Sequence, residues 1–247
     1  MAVRRALALL VLLLPVSGCG SGEDDAAQPE LTVLEASSLT DVFEDLAHDF
    51  EEEQGAKVRF SFGSSTDLAG QAADGAPGDV LATADEISMR SAGDAGVTGE
   101  VVEFARNEMV IVTPTGNPAG IKGLEDLDGA TWVRCADEVP CGRVAQAVLE
   151  DNDITAEPAS LEDDVRATLD KVTAGEADAG LVYASDAVAA GDDVETIEVP
   201  GAEEDLTSYF AATLEQSDDA DLAQAWIHLL TSSQGRETLT DAGFRLP

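Results

Sequence analysis

The chain has 247 residues, 44% of them hydrophobic, so a packed core is within reach and either one large domain or two lobes of about a hundred residues are expected. Fifty acidic residues against 13 Lys and Arg give a formal charge of -37, which excludes a general nucleic-acid binder and argues against docking of the folded surface on anionic lipid. Only two residues are histidine, which leaves little material for a catalytic triad or a His-rich metal site.

Arg4 and Arg5 precede an apolar run, Ala6 to Leu14. Nine residues make about 14 Å of helix, too short for a hydrocarbon core of about 30 Å, so residues 1–18 read as an export signal and not a span. The Val16-Ser17-Gly18-Cys19 ending resembles the lipobox of bacterial lipoproteins, which implies cleavage before Cys19 and its acylation. Residues 19–30 are small, polar and acidic, the composition of a flexible tether. The chain is therefore expected outside the cytoplasm, anchored to the membrane by lipid on Cys19.

From Leu31 onward, short β-rich runs alternate with runs of helical period. Leu31 to Leu34 predicts a strand. Leu39, Val42, Phe43, Leu46, Ala47 and Phe50 then fall on one face of a helix. Val58 to Phe62 alternates as a half-buried strand, and Leu68 to Ala73 follows as a helix. Val80 to Ala82, Met109 to Val112, Thr131 to Val133 and Gly180 to Tyr183 are further strands. Val165, Thr168, Leu169 and Val172 mark a helix between the last two, and Leu222, Trp226, Leu229 and Leu230 mark another near the end. Such alternation predicts an α/β fold with mainly parallel sheets.

In such sheets ligands sit beyond the carboxyl ends of strands, where loops turn into helices. A helix start offers free N–H groups and partial positive charge, which suits an anion. Four helix starts carry small or hydroxyl residues: Ser37-Ser38, Gly63-Ser64-Ser65-Thr66, Val139-Pro140-Cys141-Gly142 and Asp163-Asp164-Val165. Taken singly, each serine is an ordinary cap; together they matter only if they converge.

Ala36 to Asp41, Phe62 to Ser65, Gly75 to Val80, Phe104 to Asn107, Val139 to Arg143, Asp164 to Arg166, Gly180 to Tyr183, Ser185 to Ala187 and Gly243-Phe244 are similar, in the same order, to motifs of the periplasmic molybdate-binding proteins of ABC importers. The resemblance spans nearly the whole chain after Cys19. It implies a two-lobed type II periplasmic-binding-protein fold, with a hinge and a central ligand cleft. Lobe one would comprise 31–110 and 206–247, and lobe two 111–205. It further implies that Ser38 and Ser65 hold molybdate through hydroxyl and backbone N–H, Cys141 and Val165 through backbone N–H, and Tyr183 through its phenol. Tungstate, nearly the same size, would bind too. The implied partner is an ABC transporter permease; no cofactor, direct protein–metal ligand, catalytic residue or chemical step is expected, and the receptor would be a monomer. Cys141 stands where the family usually has alanine, Val144 where it often has an aromatic, and Phe210 where proline usually follows the hinge tyrosine, here Tyr209.

An all-donor cage suits a dianion without protons and not hydrogen phosphate, which needs an acceptor. Sulfate must be rejected on size. Other readings are a binding protein for sulfate, phosphate or an organic solute, and a secreted hydrolase using Ser65. Cys135 and Cys141 are expected to pair, as nearby cysteines outside the cytoplasm do. His48 and His228 read as surface or packing residues, and Glu51-Glu52-Glu53, Glu162-Asp163-Asp164 and Asp218-Asp219 as solvated faces or first-turn acids.

Overall fold

The computed structural model describes residues 28–247. The export segment, Cys19 and the tether through Ala27 lie outside the described residues.

The chain opens with β1 (Glu30–Ala36), a 3₁₀ turn at Ser37–Leu39 and α1 (Thr40–Gln54). There follow β2 (Lys57–Gly63), α2 (Ser65–Ala73), β3 (Val80–Thr83), α3 (Glu86–Asp94) and β4 (Thr98–Asn107). A second series contains β5 (Met109–Pro114), β6 (Trp132–Cys135), α4 (Pro140–Asp151), β7 (Ser160–Glu162), α5 (Val165–Thr173), β8 (Ala179–Tyr183), α6 (Ala184–Ala190) and β9 (Val194–Glu198). Last come β10 (Thr207–Leu214), α7 (Ala220–Thr231) and α8 (Ser233–Asp241).

The strands form two five-stranded sheets, ordered β2-β1-β3-β10-β4 and β7-β6-β8-β5-β9. Within each, one strand opposes the other four. β10 runs antiparallel to β3 and β4, and β5 antiparallel to β8 and β9. Each reversed strand is the one that has just crossed from the other sheet. The sheets are thus mixed, because a strand arriving across the hinge inserts against the direction of the β–α–β units around it.

The apolar spacing of α1 places Val42, Phe43, Leu46, Ala47 and Phe50 inward, and Gly55 ends the helix in the left-handed conformation at φ 60°. Trp226 of α7 meets Phe43 and Phe50 edge-on, with centroids 5.3 and 5.1 Å apart; such pairs add about 0.5–1.5 kcal/mol each beyond buried area. A second core, of Leu34, Leu68, Leu81, Met89 and Leu214, includes residues of α2 and α3. The other sheet has its own core, around Ile111, Trp132, Leu169, Val172 and Leu181.

Two boundaries differ from the sequence-based expectation. Glu30 is not tether: it opens β1 in register with Lys57, whose N–H donates to the Pro29 carbonyl at 2.8 Å. Met109 and Val110 belong to the second sheet, paired with Tyr183 and Val182, so the first crossing falls at Glu108. Hydrophobicity alone does not mark that crossing, since buried residues lie on both sides of it. Periodicity does not distinguish β4, β9, β10, α3 and α8; β4 is mostly half-buried without alternation and β9 largely exposed, patterns that alternation does not reveal.

Cys135 at the end of β6 is bonded to Cys141 in the first turn of α4, with Cα atoms 5.7 Å apart. The bridge ties the start of α4 to the strand before it. Protein lacking Cys19 is expected to gain about 2 Da in intact mass on reduction. Two thiols freely alkylated in native, oxidised protein would remove the bridge.

Candidate functional site

All four helix starts singled out by sequence converge on one cavity between the sheets. Its walls include Ser37 and Ser38 before α1, Gly63 to Ser65 at α2, Val139 to Cys141 at α4, Asp164 and Val165 at α5, and Tyr183 at the end of β8. Ser38, Ser65, Cys141, Val165 and Tyr183 are therefore brought together. The space open to the centre of a water-sized sphere is about 10 Å³, roughly that occupied by one water. A space this small excludes an organic solute of ordinary size. A larger hollow between α1, α6 and α8 is lined by Asp41, Asp45 and Asp241, and its charge disfavours anions.

Serine hydroxyls and one tyrosine hydroxyl stand in the cavity wall. The Ser65 hydroxyl accepts from the Ala84 N–H at 2.9 Å, which leaves its own proton free. Ser64 caps α2 instead, accepting from the Asp67 N–H. The Asp164 side chain is turned onto its own helix, where it accepts from the Ala167 N–H at 2.9 Å. Val139, at the cap of α4, accepts nothing through its side chain, and Pro140 occupies the first turn. Gly142 is required there: a Cβ would lie 1.7 Å from the Ala136 carbonyl oxygen.

Tyr183 is 1% exposed, and its hydroxyl has no partner among the described residues. The neighbouring Thr207 gives its proton to the Ala84 carbonyl. Burial raises the Tyr183 phenol well above its ordinary range, and Tyr209, Asp85 and Asp186 add to the rise, so it stays a donor. Among the described residues no Lys, Arg or His lines the cavity. Arg143 instead pairs with Asp85, and Arg166 with Asp41, each joining the two lobes. The Thr66 hydroxyl donates to the Glu138 carbonyl at 2.9 Å, also across the cleft. These contacts hold the lobes closed over the cavity.

The resemblance places Asn107 and Ser185 in motifs and Tyr209 at the hinge, but gives none of them a contact with one another or with the cavity wall. Asn107, Ser185 and Tyr209 are all buried and bond to one another or to Ser38. Polar residues at a strand end and a helix start carry no periodic signal, so only the folded contacts reveal them. Asp186 is a further one. Burial raises its carboxyl to about 7, against the pull of Arg166 and of the Tyr183 N–H that it accepts, while Asp41 and Asp164 push it higher. Among the described residues no cluster of His, Cys, Asp and Glu could hold a metal ion.

The Asp186 carboxyl has a stability consequence. An unfolded Asp ionises near 4, the folded one near 7, so the unfolded state is favoured progressively as pH rises through that window. Asp186→Asn is expected to remove this component. Its unfolding free energy relative to the parent should improve between about pH 4 and 7, by an amount of order 4 kcal/mol, and then level off. Denaturant melts across that range measure it; a pH-independent difference would refute the assignment.

The sequence profile of the bacterial extracellular solute-binding proteins matches residues 31–245. The chain is 35% identical to the molybdate-binding protein ModA of Mycobacterium tuberculosis, over 97% of this chain and 95% of that one. It is 30% identical to ModA of Escherichia coli, over 92% and 93%. Among solved structures it superposes on the periplasmic molybdate-binding protein of Azotobacter vinelandii with a TM-score of 0.80, at 21% identity, over 88% of this chain and 99% of that one. The chain belongs to the family of bacterial extracellular solute-binding proteins that includes the ModA proteins.

Proposed function

We propose that this chain is an extracytoplasmic receptor that captures molybdate, and tungstate as well, and hands it to an ABC transporter permease. One observation carries the reading: helix starts from both lobes and one unpartnered tyrosine hydroxyl meet around a cavity with room for a single small ion and no cation in its wall. Molybdate is a tetrahedral dianion whose oxygens only accept hydrogen bonds. In this reading Ser38 and Ser65 give hydroxyl and backbone N–H, Cys141 and Val165 give backbone N–H, and Tyr183 gives its phenol proton. The likeness to relatives that are named for molybdate supports the same ligand. As a solute-binding component of transport, the protein performs no chemical step. Lipid on Cys19 would hold the monomeric receptor at the outer face of the cell membrane, beside its permease.

Calorimetric titration with molybdate, tungstate, sulfate and hydrogen phosphate tests the reading. Molybdate and tungstate are expected to bind tightly and comparably, sulfate weakly and hydrogen phosphate least. Ser65→Ala removes one hydroxyl donor to a dianion, worth about 1.5–3 kcal/mol, so affinity should fall roughly 10- to 150-fold. Exposed Ser233 at the start of α8 is the control, and its change to Ala should leave affinity alone. An unchanged dissociation constant for Ser65→Ala would take Ser65 out of the site.

Charge generates a second expectation. The chain is strongly acidic, yet its proposed ligand is a dianion, so long-range forces oppose their approach. Salt screens surface charge beyond about 8 Å at physiological ionic strength and leaves buried contacts largely untouched. The association rate for molybdate should therefore rise from low to moderate NaCl with little change in dissociation rate. Stopped-flow tryptophan fluorescence can follow it. A rate that falls steeply with chloride would indicate a cationic site.

A further inference from the structure

Asn107 ends β4, at the point where the chain leaves the first sheet, and it is fully buried. Its amide orientation is set by the backbone. The Glu108 N–H donates to Asn107 Oδ1 at 3.0 Å, so the NH₂ group must face the other way. There it donates to Ser185 Oγ at 2.8 Å and to Tyr209 Oη at 3.4 Å. Tyr209 Oη, having received a proton from Asn107, has one remaining partner among the described residues: Ser38 Oγ at 2.8 Å. Tyr209 therefore donates to Ser38. The proton of Ser38 then has no acceptor among the described residues, and the residue lines the cavity. One amide thus dictates the polarity of a hydroxyl two bonds away.

We infer that Asn107 is a specificity-determining positioning residue: through Tyr209 it locks Ser38 as a donor into the cavity, so that the site accepts anions whose oxygens carry no proton and refuses those that carry one. A free serine hydroxyl would be indifferent, since it can donate or accept. Held by the relay, its proton has no acceptor but the ligand, so a protonated ligand oxygen that donated to the second lone pair of Ser38 would strand that proton in a buried site, which is costly. Burial, with the nearby Asp186 carboxyl, keeps the Tyr209 phenol protonated, as the relay needs. The inference rests on the molybdate reading and deepens it.

Asn107→Asp reverses the relay. The carboxylate keeps the Glu108 N–H and offers its second oxygen to Tyr209, which then donates away from Ser38. Ser38 donates to Tyr209 in turn and shows the cavity a lone pair. Titrations of both proteins with molybdate, sulfate and hydrogen phosphate at one pH read the outcome. Molybdate and sulfate should weaken together, roughly 10- to 150-fold, while hydrogen phosphate holds or gains. The ratio of molybdate to hydrogen phosphate affinity cancels the added charge, which acts alike on dianions of the same charge. Adding Tyr209→Phe to Asn107→Asp cuts the relay, frees Ser38 to donate, and should return that ratio toward the parent value; a merely structural role for Asn107 predicts no such rescue. Where Asn107→Asp does not fold, Tyr209→Phe alone carries the test, with hydrogen phosphate gaining on molybdate. Equal weakening of all three anions, or no rescue in the double variant, overturns the relay while the molybdate reading stands. A parent protein that ignores molybdate overturns both.

Discussion

Removing a small anion from water costs far more than folding can spare unless its oxygens meet hydrogen-bond donors at once. A single helix start supplies two or three N–H groups and about half a positive charge, too little to replace a full hydration shell. Several starts must therefore be aimed at one point from different directions. The two-sheet architecture provides that geometry: α1 and α2 begin beyond the carboxyl ends of β1 and β2, α4 and α5 beyond those of β6 and β7, and the two sets face each other across the cavity. The rest of the fold serves to hold those four starts in register.

The reversed strands follow from the same requirement. A chain that builds half a cage in one lobe must cross, build the other half and return. β5 and β10 are where it lands after each crossing, and Asn107 and Tyr209 sit beside those crossings. Hinge and cavity wall are consequently joined by direct hydrogen bonds from Asn107 through Tyr209 to Ser38. Hinge motion would be felt at the wall, a coupling that suits closure on a ligand.

Charge is segregated with similar economy. The arginines nearest the cleft, Arg143 and Arg166, are spent on Asp85 and Asp41 across it and stay out of the cavity wall. Both pairs are only partly exposed, and they favour the closed arrangement of the lobes. The Cys135–Cys141 bridge fixes the start of α4, and the close approach of Gly142 to the Ala136 carbonyl leaves no room for a side chain. Preorganised N–H groups bind without first having to be ordered.

Sequence by itself determined the α/β character, the helix starts rich in small and hydroxyl residues, and the export-signal pattern ahead of Leu31. These are local properties: apolar period, cap chemistry and charge are written in neighbouring residues. The five positions Ser38, Ser65, Cys141, Val165 and Tyr183 were reached only by adding a resemblance to that local signal, because convergence is not a local property. Tertiary structure alone decided that the four starts face one cavity, that β5 and β10 run against their sheets, that Met109 belongs to the second sheet, and that Glu30 is strand. It alone gave Asn107, Ser185 and Asp186, which stand in motifs of the resemblance, their partners, as far as 102 residues away for Asn107. Directional hydrogen bonds between residues so distant leave no period, spacing or composition to read, since their energy depends on angles and distances that exist only once both lobes are folded.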